Sequence, residues 1–158
     1  MLKITKKNNY FEISDVSNNI LILTKKYKLG VNVYIGERTK ICNKDGSPME
    51  SLVIGDNIQI HHDSTIMVPA LSVFDYTKIN NNFYAYGTND LKIGYNCWFG
   101  SAVVLDTLGE LEIKNNVCVA SHSQIYSHAK FGDTLFGCKI SSTKKVSLLD
   151  DVWIAPNC

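Results

Sequence analysis

Histidine and cysteine are the side chains of this sequence best suited to catalysis or metal binding. The histidines lie at positions 61, 62, 122 and 128, and the five cysteines at 42, 97, 118, 138 and 158. The cysteine count is odd and no pair has CxxC spacing, so neither a disulfide framework nor a zinc site is expected. His122 and His128 lie six residues apart with no third histidine after them. This spacing argues against a three-histidine zinc centre, and no metal is expected.

The surroundings of the other histidines and cysteines favour ordinary roles. His61 and His62 are neighbours, and neighbouring residues on a strand point to opposite faces, so they are not expected to act as a pair. His122 is the fourth residue of a six-residue phrase, which favours packing or solvent exposure over catalysis. Cys97 and Cys118 fall at inward or near-inward positions of the same pattern, where a free thiol acts as a small hydrophobe.

A repeated six-residue phrase must position these side chains. In each copy an aliphatic or aromatic residue recurs every six positions, often followed by a small residue, as in Ile93-Gly94. Copies cover residues 29–41, 54–66, 93–104, 113–125 and 148–158. Strands have period two and helices 3.6, so a period of six fits neither alone. It predicts an all-β coil with three flat faces, one phrase per face, whose large apolar residues stack inside.

The segments outside the clear copies divide the chain. Residues 1–28 alternate apolar and polar side chains and are predicted to form short strands that cap the open end of the coil stack. Residues 29–158 form the repeat domain, with loops near 43–51, 69–90 and 127–146. The alternative for the less regular stretch 69–90 is a coil with degraded copies of the phrase. The sequence stops within a phrase, at Asn157-Cys158. The expectation is a fragment lacking further C-terminal coils, or an end covered by another chain.

Bulk composition excludes several classes of partner. The 158 residues carry a formal net charge of +1, with 45% hydrophobic residues, so no electrostatic footprint for nucleic acid or an anionic membrane is expected. The sequence has no signal peptide and no apolar run long enough to span a bilayer. These features favour a reducing, cytoplasmic setting.

The order of three motifs resembles the hexapeptide-repeat acetyltransferases. They are the phrase at 93–98, Ile125-Tyr126-Ser127-His128, and the segment 150–157 that contains Val152-Trp153-Ile154. The sequence is most similar to sugar O-acetyltransferases related to galactoside and maltose acetyltransferase, well over 91–158 and by repeat only over 29–66. The resemblance implies a left-handed parallel β-helix, usually a homotrimer with active sites at subunit interfaces. It also implies acetyl transfer from acetyl-CoA to a hydroxyl or amine.

The resemblance also assigns candidate site residues. His128 is the candidate general base, which takes the proton of a sugar hydroxyl as it attacks the thioester. Relatives often carry a second histidine where this sequence has Lys130, and that departure leaves the identity of the base open. Asp106 is the candidate contact for the acceptor hydroxyls. Trp153 is expected to line the acetyl-CoA tunnel, and Ala155 N–H to bind the oxyanion, because Pro156 has no N–H.

Three functional hypotheses stand beside one another. The first is an acetyltransferase acting on a sugar hydroxyl in surface-polysaccharide synthesis. The second is a non-catalytic, truncated or degenerate trimeric β-helix that serves as a structural or interaction module. The third is N-acetylation of an amino sugar nucleotide. Because the coils that would hold coenzyme A would follow Cys158, the 158 residues are expected to transfer little or no acetyl on their own.

Overall fold

The polypeptide is built entirely from short β-strands. A computed structural model describes residues 2–131 and 140–158, and these residues contain no helix. In chain order the strands are β1 (Lys3–Lys6), β2 (Phe11–Asp15), β3 (Ile20–Thr24), β4 (Tyr27–Leu29), β5 (Tyr34–Ile35), β6 (Lys40–Cys42), β7 (Ser51–Ile54), β8 (Gln59–Ile60), β9 (Thr65–Met67), β10 (Ala70–Val73), β11 (Lys78–Ile79), β12 (Tyr84–Gly87), β13 (Leu91–Ile93), β14 (Trp98–Phe99), β15 (Val104–Thr107), β16 (Leu111–Ile113), β17 (Cys118–Val119), β18 (Gln124–Ile125), β19 (His128–Phe131), β20 (Ile140–Thr143), β21 (Val146–Leu148) and β22 (Trp153–Ile154). The predicted all-β class is confirmed. No helix long and apolar enough to cross a membrane occurs in the described ranges.

The strands form three large sheets and one hairpin. The first sheet has the order β1-β2-β3-β6-β9-β12-β15-β18, the second β4-β7-β10-β13-β16-β21, and the third β5-β8-β11-β14-β17-β22. From β4 to β18 the chain visits the second, third and first sheets in strict rotation, and each strand pairs in parallel with the strand three places away. Strands β19 and β20 form a separate antiparallel hairpin between β18 and β21.

The interior is filled by the apolar residues of the repeat. Ile93, Phe99 and Leu105 lie one on each sheet at six-residue spacing and have no exposed surface. Eight residues, not six, then separate Leu105 from Ile113, its successor in the second sheet. The exact period of six therefore fails at one corner of each unit. Full burial of side chains this size contributes about 1.5–3 kcal/mol each, so the stacked rows hold the sheets together.

Asparagines shape the corner between the second and third sheets. Asn57, Asn96 and Asn116 have φ angles of 57°, 52° and 57°, a left-handed conformation that asparagine tolerates better than most residues. The side chain of Asn96 donates to Asn116 at 3.0 Å, and Asn116 donates to Asp151 at 2.9 Å. The asparagine in the repeated phrase thus sets the turn and ties successive units together.

Residues 69–90 decide between two sequence-based expectations, a loop and a coil with degraded copies of the phrase. The loop is wrong, because the segment holds β10, β11 and β12 in full parallel register. Val73, Ile79 and Ala85 keep the six-residue spacing and are fully buried, so the core pattern persists although the small residue after each of them is lost. The expected turn-forming segment near 43–51 is present as a tight turn, with Gly46 at φ 84° and β7 beginning at Ser51.

The N-terminal residues form strands, as predicted. Strands β1, β2 and β3 are antiparallel, and β3 then joins β6 in parallel, so this meander extends the first sheet. Ile13 and Ile22 are fully buried, and Phe11 packs edge-on against Tyr27 of the second sheet at 5.0 Å between ring centroids. The meander therefore widens the first sheet and adds Ile13 and Ile22 to the core. Its predicted role as a cap stays a prediction.

Candidate active site

A buried carboxylate forms the base of the candidate site. Asp106 lies on β15 in the first sheet, where the preceding residue, Leu105, faces the core. The side chain of Asp106 has no exposed surface. Its Oδ1 accepts the Leu108 N–H at 2.6 Å, and its Oδ2 binds His128 Nδ1. Because burying an unpaired carboxylate is costly, these partners are what allow Asp106 to occupy this position.

Ser127 connects this carboxylate to the next turn of the chain. Its hydroxyl donates to the Asp106 carbonyl oxygen at 2.7 Å, lies 3.3 Å from Asp106 Oδ1, and accepts the Gly109 N–H at 2.9 Å. A Cβ at Gly109 would lie 2.4 Å from the Ser127 carbonyl oxygen and 2.7 Å from that of Lys144. Only glycine leaves room for both backbones. The candidate site therefore lies at the corner between Leu105 and Ile113, where the chain has two residues more than the six-residue spacing.

The hairpin of β19 and β20 carries the imidazole. His128 begins β19 opposite Thr143, and the Lys144 N–H donates to the Ser127 carbonyl oxygen at 3.0 Å, which closes the base of the hairpin. The His128 side chain is 24% exposed, and its Nδ1 contacts Asp106. The ring of Tyr126 lies edge-on to it, with 6.4 Å between centroids.

The Asp106–His128 contact fixes which imidazole nitrogen is free. A carboxylate accepts hydrogen bonds, so Nδ1 carries the shared proton and Nε2 of a neutral ring has a free lone pair. No described residue hydrogen-bonds to Nε2. A neutral imidazole held in this way can accept a proton from a hydroxyl and return it to a leaving group.

Ion pairs that we call the Glu112 clasp hold Lys145, which follows the hairpin, against the second sheet. Lys145 Nζ lies 2.8 Å from Glu112 Oε2 and 3.1 Å from Glu110 Oε1, both on or next to β16. Lys114 also contacts Glu112, at 2.5 Å. Hydrogen bonds from Lys114 and Lys145 lower the pKa of Glu112 to about 2, so the carboxylate is ionised over the whole physiological range. The segment after β20 is thereby tied to the sheet next to the Asp106 corner.

Two of the four predicted site residues meet, and two lie elsewhere. Asp106 and His128 are in contact. Trp153 lies on β22 of the third sheet with 72% of its surface exposed, and Ala155 follows it, its carbonyl accepting the Ser123 hydroxyl at 2.7 Å. Within the described ranges, no hydrogen bond or ring contact joins Trp153 or Ala155 to the Asp106–His128 pair. Their predicted roles toward acetyl-CoA stay predictions.

Asp106 has a different setting from the one expected of an acceptor contact. Both carboxylate oxygens are occupied by partners within the protein, and no part of the side chain reaches solvent. The resemblance to the sugar O-acetyltransferases implied a contact between Asp106 and the acceptor hydroxyls, and the alternative was an ordinary turn aspartate. Ser127 and His128, which follow β18, contact this aspartate. No pattern in the sequence predicts these contacts.

The remaining histidines lie outside this site. His122 is exposed at a turn with φ 63°, as expected. The premise that His61 and His62 lie on a strand and point to opposite faces is wrong, because β8 ends at Ile60 and both residues follow it. The expectation that they do not act as a pair stays a prediction. Their rings are 6.3 Å apart and both pack edge-on against Tyr34. Opposite-face geometry applies only within a strand.

Several contributors to the site were missed by sequence reasoning. Ser127 stands in the Ile-Tyr-Ser-His motif, but the motif alone does not show that its hydroxyl is buried against Asp106. Gly109 and Lys145 belong to no repeat and carry no local signal. The Lys130 side chain, a possible alternative base, lies outside the described part of the structure. The same holds for Cys138, whereas the other four cysteines are free thiols, and burial raises the pKa of the Cys97 and Cys42 thiols.

The described residues contain no cluster of three or more metal-ligating side chains. Comparisons of the chain with protein-family models, with curated proteins and with solved structures found no match. The resemblance of the sequence motifs to hexapeptide-repeat acetyltransferases therefore stays a prediction, and the argument for function depends on the site itself.

Proposed function

We propose that this protein is an acyltransferase that moves an acetyl group from acetyl-CoA to a sugar hydroxyl, with His128 as general base. The observation that carries the proposal is the pairing of His128 Nδ1 with a fully buried Asp106, while Nε2 has no hydrogen-bond partner among the described residues. In the proposed reaction Nε2 takes the hydroxyl proton while the oxygen attacks the thioester carbon. The coenzyme A thiolate leaves and receives that proton from the imidazolium. Asp106 orients the ring and stabilises its charged form.

The arrangement of the sheets supports a β-helix for this proposal. Strict rotation through three parallel sheets, with register partners such as Trp98 and Cys118 twenty residues apart, is the pattern expected of a three-faced coil. We infer the left-handed form from the six-residue phrase. A crystal structure with flat sheets that do not wind about one axis would overturn this part.

We also propose a homotrimer in which each active site combines two copies. Trp98 and Trp153 flank Cys118 in register on the outside of the third sheet and are 40% and 72% exposed, so this face offers large apolar groups to a partner. Because Trp153 and Ala155 do not contact His128 within one chain, the pair that meets a given His128 would come from a neighbouring copy. The free thiols support a reducing, cytoplasmic setting.

The test of the proposed reaction is transfer of labelled acetyl groups to a panel of sugars. Since the rate is expected to be low, radiolabelled acetyl-CoA is used and the acetylated product is isolated. His128→Ala should lower the rate by about 10²–10⁴. The control is His122→Asn, an exposed histidine at positive φ where asparagine keeps the backbone conformation. A wild-type rate in His128→Ala would move the base elsewhere. No transfer to any sugar, either by these 158 residues or by a version extended with further coils, would favour the non-catalytic module.

Mixing two inactive variants tests the shared site. His128→Ala and Trp153→Ala subunits, unfolded together and refolded as a mixture, should recover about a quarter of the wild-type activity if each site draws on two neighbouring copies. Each variant refolded alone is the control. No recovery in a mixture that sediments as a trimer would show that His128 and Trp153 act within one chain. Sedimentation as a monomer would overturn the trimer.

A further inference from the structure

The outer face of the first sheet next to His128 is lined by tyrosines. Alternate residues of a strand point to the same side, and on β12 the outward residues are Tyr84 and Tyr86, with Ala85 buried between them. Val104 faces the same way on β15 and Gln124 on β18. We call Tyr84, Tyr86, Tyr126 and Gln124, around Val104, the tyrosine face.

The register of the strands gives this face its dimensions. Tyr84 pairs with Val104, and Val104 pairs with Gln124, so the three side chains stand in one row across neighbouring strands. With adjacent parallel strands about 4.8 Å apart, Tyr84 and Gln124 are separated by about 9.5 Å, with the smaller Val104 between them. The row is therefore a shallow trough with an aliphatic floor and polar, partly aromatic sides.

The second row of the face leads to the candidate base. Tyr86 pairs with Asp106 on the adjacent strand, and Asp106 holds His128. On the other side, the Tyr126 hydroxyl donates to Gln124 Oε1 at 2.9 Å, which fixes the ring beside His128. The candidate base therefore lies beside the aromatic side chains of this face.

Exposure distinguishes this face from core packing. Tyr126 is 50% exposed and Tyr84 is 37% exposed, and the rings of Tyr84 and Tyr86 lie 5.2 Å apart in a tilted arrangement. Burial first, and then the charge of Asp106, raise the pKa of Tyr86, so its hydroxyl stays a neutral hydrogen-bond donor and acceptor. Aromatic rings with fixed hydroxyls and one amide combine apolar stacking surface with polar groups that orient a ligand.

We infer that the tyrosine face is the acceptor subsite and that it binds a single pyranose ring, whose less polar surface contacts the rings of both Tyr84 and Tyr126. Gln124 and Tyr86 supply hydrogen bonds to the ring hydroxyls, and Val104 forms the floor. This inference rests on the proposed function for its choice of ligand. It goes further by naming residues that select a glycoside and do not touch the thioester.

Binding without turnover tests the subsite independently of catalysis. Saturation-transfer NMR with a series of methyl pyranosides should show contact to the ring protons, and titration gives a dissociation constant. Tyr84→Ala and Tyr126→Ala should each raise that constant about tenfold, since a lost aromatic stacking contact has about this effect. Tyr126→Phe keeps the ring and should retain most of the binding. The matched control is Tyr95→Ala, because Tyr95 is 49% exposed but lies away from the first sheet, stacked on Phe74.

The outcomes separate this inference from the proposed reaction. Glycoside binding that depends on Tyr84 and Tyr126, without acetyl transfer, would support the subsite and overturn the reaction. Acetyl transfer with an unchanged KM for the sugar in both variants would overturn the subsite and leave the reaction. The subsite is also wrong if Tyr95→Ala weakens binding as much as the other two, or if no pyranoside binds at millimolar concentration. Circular dichroism of each variant confirms that it is folded.

Discussion

His128 binds through Nδ1 to Oδ2 of Asp106, a carboxylate that lies 22 residues earlier in the sequence and is fully buried. The contact joins the hairpin of β19 and β20 to the first sheet at β15. It holds the ring orientation through a group that cannot reach solvent or ligand. Asp106 is therefore a positioning residue, and its effect should differ from that of the base itself.

Asp106→Asn should slow acetyl transfer without unfolding the protein. An amide cannot stabilise the imidazolium as a carboxylate does, and its NH₂ group can force the proton onto Nε2. The loss should be no larger than the about 10²–10⁴-fold loss that a general base accounts for. Nitrogen NMR of the His128 ring should report a change of tautomer, which a purely structural role would not produce. An unchanged tautomer together with an unchanged rate would contradict the positioning role.

Ser127→Ala should both destabilise the protein and lower its activity. Removal of the hydroxyl leaves the buried Gly109 N–H without its acceptor, which costs about 1–3 kcal/mol in the free energy of unfolding. Thr77→Val is the matched control, because Thr77 is also buried and its hydroxyl also joins two backbone groups, those of Gly94 and Cys97, away from the candidate site. Denaturant unfolding should show similar losses for both variants. Equal losses of activity would mean that Ser127 acts only through stability.

Gly109→Ala should disturb the base of the hairpin. The new methyl group would lie 2.4 Å from the Ser127 carbonyl oxygen and 2.7 Å from that of Lys144, and both are backbone atoms that must move. Overpacking of this kind costs about 1–3 kcal/mol. Gly46→Asn serves as the control, because no atom lies within 4 Å of a Cβ there and asparagine tolerates its φ of 84°. Hydrogen exchange should rise at Lys144 in Gly109→Ala alone. Unchanged exchange would show that the corner adapts.

The strands could be predicted from sequence wherever apolar residues keep the six-residue spacing. The spacing shows which side chains face the core. It therefore predicts the strands and the buried rows that contain Ile93, Phe99 and Leu105. Residues 69–90 left a loop and a degraded coil as alternatives because the small residue after each apolar one is missing there, although Val73, Ile79 and Ala85 keep the spacing. The inward residues determine the fold, and the residues between them only adjust the corners.

The candidate site was predictable only in part. His128 and Asp106 could be named, but their contact depends on a hairpin inserted between β18 and β21, and the path of an insertion leaves no periodic signal. Tyr84 and Tyr86 look like an irregular aromatic run in the sequence. Their position next to the candidate site is known only from the register of the parallel sheet, which pairs Tyr86 with Asp106 and Tyr84 with Val104.

The Glu112 clasp gives a pH dependence of stability with a definite sign. Its pKa falls from an ordinary 4.5 to about 2 because Lys114 and Lys145 donate to the carboxylate. A group with a lowered folded-state pKa stabilises the protein fully above its unfolded pKa and loses that contribution as the pH falls through the folded value. The difference in unfolding midpoint between the wild type and Glu112→Gln should therefore be greatest above about pH 5 and vanish near pH 2. Added salt should shrink the difference at neutral pH, because the clasp is partly exposed. A difference that does not change with pH or salt would show that Glu112 acts through packing and not through its charge.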